Sequence, residues 1–379
     1  MIKVISSESV FDGHPDKVCD RISDEILDAI LKEDINARVA VETAIKNDTV
    51  YIFGEVTTTA EVDYSLIANR TLLNLGYLKK FKVIENISVQ SPDIALGVDE
   101  RGTKLQGAGD QGMMYGYATN ETLERIPAPL ALAHKIAKRY KFLRENKYLG
   151  LFAPDGKCQV TYLYEDDKPI DIQTIVVSAQ TKCSIDQTLL NKIVLDELLT
   201  PIIDNVDDIN VLVNPTGEFL IGGPDADAGL TGRKIIVDTY GGFSHHGGGA
   251  FSGKDTSKVD RSAAYYARYA AKSFVDAGLA DRCEVGVAYA IGVAEPVSLY
   301  IDTFGTGKIN DDSLLYLLKL YFDFTPVNIR KELRLDNVKF ASLSAFGHVG
   351  RIDLNVPWED TKDKAEVLRK AYGKAKSAS

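Results

Sequence analysis

Two adjoining stretches constrain the fold most. "ARVAVETAIK" (37–46) and "TVYIFGEVTTT" (49–59) alternate apolar and polar side chains with the period of a strand, and Asn47-Asp48 between them is turn chemistry. Such a pair reads as a hairpin with one face to cover. Candidate covers flank it. Residues 17–33 read as an amphipathic helix with Val18, Ile22, Ile26, Leu27, Ile30 and Leu31 on one face, and a second helix over 61–75 is closed by Gly76. The same grammar continues along the chain. "KVIENISVQ" reads as a strand, 129–146 as a helix, 158–165 and 170–180 as strands, and 184–199 as a helix. "INVLVNP" reads as a buried strand and "RKIIVDTY" as another strand. A helix follows over 258–276, then strands in "CEVGVAYAIG" and "VSLYIDTFG", and helices at 312–322 and 361–374. Strand pairs followed by helices, without the rhythm of a doubly wound sheet, predict an α+β fold with sheets covered on one face by helices.

Three stretches break the pattern. "SSESVFDGHPDK" reads as a loop, and residues 90–119 and 214–255 are Gly-rich with little periodicity apart from "RKIIVDTY". So long an irregular stretch in a compact domain is functional or mobile.

The 379 residues exceed one ordinary core and suit two or three packed units. With 44 basic and 54 acidic residues the net charge is −10, which argues against nucleic-acid binding. Any polyanion therefore has to be met by a local concentration of cations. No window approaches a transmembrane span, and the start lacks the apolar segment of a secretory signal, so a cytoplasmic protein is expected. Cys19, Cys158, Cys183 and Cys283 are widely spaced, which argues against structural zinc or disulfides and fits a reducing compartment.

The chemistry concentrates in the irregular stretches. "GGGAFSGKD" (247–255) begins like a Walker A loop from Gly248, but Asp255 stands where Ser or Thr is required. Gly253-Lys254 precedes a helix whose first turn holds Lys258 and Asp260. Glycines and free amides at a helix start suit an anion. Lys254 and Lys258, four apart, can face the same one, and Asp255 can cap the helix. Asp260 also reads as the partner of Ser257 in a capping box. Arg233-Lys234 opens the next strand after another Gly-rich turn, and reads either as a solvated pair or as part of a phosphate site. In "GHPDK" Pro15 suits the first helical position, placing His14 and Lys17 near a positive helix end. His14 there can bond an anion or act on a leaving oxygen. Asp16 is a hard ligand suited to Mg²⁺, or simply a helix-end charge. Glu42 shares strand parity with Ala40 and Ala44 while Val39, Val41, Thr43 and Ile45 face the other way. Glu42 and Glu55 interrupt apolar strands, and each also reads as a solvent-facing residue. Asp110 and Gln111 in "GAGDQG", and Asp155 and Lys157 in "PDGK", are placed in turns. These residues together point to a Mg²⁺-dependent site for a polyphosphate, by preference a nucleoside triphosphate, and do not say what is done to it.

"SESVFDGHPDKVCDRISDEILDAIL", "GAGDQGMMYGYATNET", "NPTGEFLIGGPDADAGLTGRKIIVDTYGG", "GGGAFSGKDTSKVDRSAAY" and "AIGVAEP" together resemble the S-adenosylmethionine synthases, in order from about Ser6 to Trp358. The resemblance implies an enzyme that joins methionine to ATP with Mg²⁺, two per site, and K⁺, releasing phosphate and pyrophosphate. It implies three similar α+β domains in a pseudo-threefold arrangement, here about 1–98, 108–222 and 223–379, interleaved in sequence. It also implies a dimer or dimer of dimers with active sites at the subunit interface, and no nucleic-acid or membrane partner. Carried over by motif, His14, Lys157, Arg233, Lys254 and Lys258 are catalytic. ATP falls to His14, Asp110, Asp155, Gly156, Lys157, Phe219, Asp227, Arg233, Lys234, Ala250 and Lys254. Methionine falls to Glu55, Gln90, Asp227 and Lys258. Asp16 and Asp260 hold Mg²⁺, Glu42 holds K⁺, and residues 90–100 match the family's mobile loop. Glu218 replaces a common Arg and Gly156 a common Ala. On this reading the 247–255 loop is no damaged Walker A. It binds pyrophosphate through lysines and amides, with metal held by carboxylates elsewhere.

Overall fold

The computed structural model describes residues 1–90 and 106–378, and most of the 90–100 loop lies outside the described residues. The chain divides into two compact units, each built from segments that alternate along the sequence. Helices combine with mixed and antiparallel sheets, so the fold is α+β as expected.

The first unit comprises Met1–Ser88, Ala128–Gly241 and Lys339–His348. One of its sheets joins β1 (Ile2–Val10), β6 (Phe152–Glu165), β7 (Lys168–Thr181) and β8 (Asn210–Val213) in that order. The other has the order β4 (Lys82–Ser88), β3 (Thr49–Thr57), β2 (Arg38–Lys46), β9 (Gly229–Leu230). The hairpin forms as expected, antiparallel from Arg38 opposite Thr57 to Lys46 opposite Thr49. Val39, Val41, Thr43 and Ile45 are buried, and Glu42 lies on the opposite face.

Helix α1 (Pro15–Glu33) covers the buried face, where Val18, Ile22, Ile26, Leu27 and Ile30 are fully enclosed. Each such side chain contributes about 1.5–3 kcal/mol of transfer free energy. α2 (Tyr64–Leu75) starts at Asp63, whose carboxylate accepts from Leu66 N at 2.8 Å, and stops at Gly76 with φ 100°. The first sheet is covered by α3 (Ala128–Asn146) and α4 (Gln187–Ile193), the latter running on into a π turn over Val194–Leu199. Their shared core includes Phe11 stacked on Tyr140, with centroids 3.9 Å apart, and Phe152, Val160, Ile175 and Val177.

The second unit comprises Val89–Pro127, Gly242–Val338 and Val349–Ser379. Its sheet runs β11 (Ser298–Asp302), β10 (Arg282–Tyr289), β5 (Gly112–Thr119), all antiparallel. Among its helices are α6 (Val259–Asp276), α7 (Asp311–Tyr321), α8 (Pro326–Glu332) and α9 (Lys362–Ala378). α6 lies on β5 and β10 so closely that a Cβ on Gly116 would sit 1.9 Å from the backbone of Ala267. Only glycine permits that approach.

Several expectations fail for identifiable reasons. The "SSESV" segment is not a loop but the second half of β1. Its buried Ser7 and Ser9 are satisfied by Gly241 O at 2.9 Å and His134 Nδ1 at 2.9 Å, so the strand needs no apolar alternation. The irregular 90–119 stretch ends in β5, disguised by glycines that serve helix packing. "RKIIVDTY" is not a strand: Ile235–Asp238 make one helical turn, α5, which turns Val237 and Asp238 inward. "INVLVNP" supplies an edge strand in which only Val213 is buried. Asp155 and Lys157 lie within β6 beside a bulge, not in a turn.

Candidate active site

In the first unit the N-terminus of α1 organises the chemistry. Pro15 occupies the first turn, as its fixed φ favours, and His14 is the N-cap. His14 Nδ1 accepts from Asp16 N at 3.2 Å. Burial, then the nearby Lys234 ammonium, lower its pKa to about 4 against the opposing pull of Asp16 and Asp227. The imidazole is therefore neutral at pH 7, and with Nδ1 accepting, its proton sits on Nε2.

The carboxylates of α1 hold the 229–238 segment in place. Asp16 Oδ1 accepts from Leu230 N at 3.0 Å, and its Oδ2 pairs with Lys234 Nζ, with Arg233 3.7 Å from Oδ1. One turn on, Asp20 accepts from Gly232 N at 2.9 Å. Lys17 does not face the helix end. Its side chain is fully buried, bonding Asp20 at 2.8 Å and also Asp238. Burial works against that ammonium, yet the two carboxylates hold its pKa well above the usual range. Asp24, also buried, adds its charge nearby, and burial foremost pushes Asp238 up to about 7.

Asp155 is buried, accepting from Gly156 N and Gly223 N, each at 2.7 Å, and burial raises its pKa despite those bonds. Lys157 and Asp227 lie close enough for their charges to act on both His14 and Asp155. Gly156 has φ 152°, and a Cβ there would meet Ser178 O at 2.4 Å, so this backbone requires glycine. Phe219 is tied through its carbonyl, which accepts from Thr181 N at 2.9 Å. Glu218 takes the hydroxyl of Ser184. Glu42 belongs to the same neighbourhood. The buried Cys19 thiol, pushed up foremost by burial, also feels Asp20, Asp16, Arg233 and Glu42. Glu55, opposite Ala40, shares Glu42's face of the sheet and is exposed.

The second unit carries a separate set at the start of α6. Lys254 Nζ pairs with Asp260 Oδ2 at 2.6 Å, and Lys258 with Asp255 Oδ2 at 3.3 Å. Asp255 does not cap the helix. It accepts from Ser257 N at 2.8 Å in the turn before, and the N-cap is Lys258, without a side-chain cap bond. The Ser257–Asp260 capping box does not form either. Ser257 lies outside the cap, its buried hydroxyl without a protein partner. Asp110 accepts from its neighbour Gln111 N at 2.7 Å, and the adjacent Gly109 packs on Ser257 and Lys258. Ala250 follows Gly249, which abuts Asp260. Gln90 is the last described residue before 91–105, which lie outside the described residues.

Sequence reasoning missed Asp20, Asp238 and the buried role of Lys17. Asp16 and Asp20 at helical spacing beside Lys17 were a signal, but the partner of Lys17 is 221 residues away. His246, bonded to Gly248 N, was missed as well.

Three family models cover this chain in order: the N-terminal domain of S-adenosylmethionine synthetase over residues 3–94, its central domain over 105–219 and its C-terminal domain over 221–360. The chain belongs to the S-adenosylmethionine synthetase family. The S-adenosylmethionine synthase of Finegoldia magna is 50% identical over 386 residues, covering 97% of this chain and 98% of that protein. That of Clostridium tetani is 48% identical over 387 residues, covering 97% and 99%. Members of this family need divalent metal ions. Among the described residues no three His, Cys, Asp or Glu side chains form a ready metal cage. The oxygens of Asp16 and Asp260, each already facing a lysine, instead suit a hard cation bound by one or two carboxylates and by substrate phosphates. Among the described residues no helix is long and apolar enough to cross a membrane.

Proposed function

We infer that this chain is an S-adenosylmethionine synthase, which transfers the adenosyl group of ATP to the sulfur of L-methionine and then hydrolyses the released triphosphate to pyrophosphate and phosphate. The observation that carries the reading is the match to all three family domains, with near-full-length relatives of that name.

The residue roles are our assignment. A thioether is a weak nucleophile, so the C5′–O bond must be weakened at its leaving side. His14, neutral with a proton on Nε2, donates toward the departing oxygen. Lys157, Arg233, Lys234 and Lys254 stabilise charge growing on the phosphates, and donors fixed beforehand act at no reorganisation cost. Asp155, Gly156, Ala250, Asp110 and Phe219 complete the ATP contacts. Glu55, Gln90, Asp227 and Lys258 take methionine. Asp16 and Asp260 would hold two Mg²⁺ ions per site and Glu42 a K⁺. When bound, Mg²⁺ supplies neutralising charge to the triphosphate. A carboxylate such as Asp110 favours the sulfonium charge forming on sulfur.

We also assign self-association as a dimer or dimer of dimers, with active sites at the subunit interface. Support comes from an apolar row across one sheet face. Ile84, Tyr51, Ala44 and Leu230 lie in register on neighbouring strands, with Tyr51 45% and Phe53 38% exposed. Four free cysteines fit a cytoplasmic setting.

The deciding experiment incubates the chain with ATP, methionine, Mg²⁺ and K⁺ and detects the sulfonium product by mass. ATP turnover that runs fully without methionine, with no sulfonium formed, would sink the reading in favour of a phosphotransferase or triphosphatase.

A further inference from the structure

The two units carry parallel constellations, one of which includes a histidine assigned no role so far. In the first, His14 Nδ1 accepts a backbone amide, beside Asp16 and Lys234. In the second, His246 Nδ1 accepts from Gly248 N at 2.8 Å. Asp260, itself 2.6 Å from Lys254, is the neighbouring charge felt at His246. The loop brings its backbone against that carboxylate, since a Cβ on Gly249 would lie 2.4 Å from Asp260 Oδ1. His246 is half-buried, so its ring is enclosed but not sealed from a ligand. Burial lowers its pKa, as it does for His14, with Asp260 opposing. In both cases an amide spends the Nδ1 lone pair and leaves a neutral ring with its proton on Nε2.

We propose that His246 is a further phosphate-contacting residue, its Nε2–H donating to the phosphate chain beside Lys254 and Asp260 as His14 does beside Lys234 and Asp16. A neutral donor suits this position. It bonds a phosphate oxygen without adding a cation that would compete with a metal ion for Asp260. The proposal rests on the assignment of the 247–258 loop to the triphosphate. The rival is purely structural: His246 merely caps its own turn through Gly248.

The two ring nitrogens separate these roles. His246→Asn keeps an acceptor near Nδ1 for Gly248 N–H but has nothing at Nε2. His246→Gln reaches the Nε2 position with an N–H but gives up the cap. With inorganic tripolyphosphate and Mg²⁺ as probe, His246→Asn is expected to lose about 10²-fold in kcat/KM for hydrolysis, the usual cost of one preorganised donor. His246→Gln is expected to stay within about tenfold of the parent, having kept that donor. A reversed order, or parental activity in His246→Asn, makes His246 a turn cap and overturns the proposal. Lys254→Met is measured alongside. If it too hydrolyses normally, the loop's phosphate assignment fails with the proposal; if it is impaired while His246→Asn is not, the proposal alone fails. Should neither histidine variant fold, the parent chain carrying ¹⁵N-labelled histidine decides. Tripolyphosphate with Mg²⁺ is then expected to move two neutral-ring Nε2 resonances, those of His14 and His246. Movement of one or none overturns the inference.

Discussion

The two cation sets use the same parts in opposite settings. Around His14 the carboxylate is sealed: the side chain of Asp16 is 2% exposed, though its cation Lys234 keeps 19%, and the neighbouring Lys17 is not exposed at all. Around His246 both partners are half open, with Lys254 20% and Asp260 23% exposed. Burial makes a charge costly to leave unpaired, whereas a partly solvated pair is worth little to the fold. The first set therefore takes its geometry from a network that also holds the unit together. The second is free to exchange a protein partner for a ligand. An ion pair that contributes little to folding is one that substrate can displace.

The largest effect expected from this contrast falls on stability. Lys17→Met leaves Asp20 and Asp238 buried without their shared cation, and should cost about 3–5 kcal/mol of unfolding free energy. Denaturant unfolding measures it. A loss below about 1 kcal/mol, the range of an exposed pair, would erase the distinction between the sets.

Lys254→Met should show the converse. Turnover is expected to fall about 10²–10³-fold, as for loss of one preorganised donor, with nucleoside affinity nearly unchanged. Its unfolding free energy should move by no more than about 1 kcal/mol, because the pair with Asp260 is partly solvated. Steady-state kinetics with nucleotide-binding titration test the first part, and the same unfolding series tests the second. Kinetics equal to the parent's would remove Lys254 from its assigned role.

The same contrast explains what was legible beforehand. Local rules placed α1 from Pro15 and its apolar face, the 38–57 hairpin from alternation, and the end of α2 from Gly76. Each is settled by neighbours within one turn or one strand. What escaped notice depends on distant partners. Ser7 and Ser9 make a strand because their hydroxyls are hydrogen-bonded to Gly241 O and His134 Nδ1. "RKIIVDTY" carries a β-like apolar run, but Asp238 has to reach Lys17, and a helical turn delivers it. The Gly-rich loops were legible as irregular segments carrying lysines, and their assignment to phosphate remains the proposal made above. The embedding of Lys17 had one local sign, Asp20 three residues on, but its other partner Asp238 is 221 residues away.

The smallest expected effect is a slope with pH, and it separates the sets by sign. Burial raises Asp238 from 3.8 to about 7, so between those values the folded chain holds a proton that the unfolded chain has released. Stability from this group is thus present in full below about pH 4 and is lost as pH rises toward 7, at no more than about 1.4 kcal/mol per unit. Asp238→Asn, fixed in the neutral form, should resemble the parent below about pH 4 and gain on it progressively up to pH 7. In the other set, His246 is lowered from 6.5 by burial, so its contribution has the opposite course, present above 6.5 and lost on acidification. Unfolding free energies of parent and Asp238→Asn, taken from pH 5 to 8, measure the difference directly. A gap that stays constant across that range would mean that Asp238 remains ionised beside Lys17 throughout. The first set would then be a balanced ion network and not one cation shared among too many carboxylates.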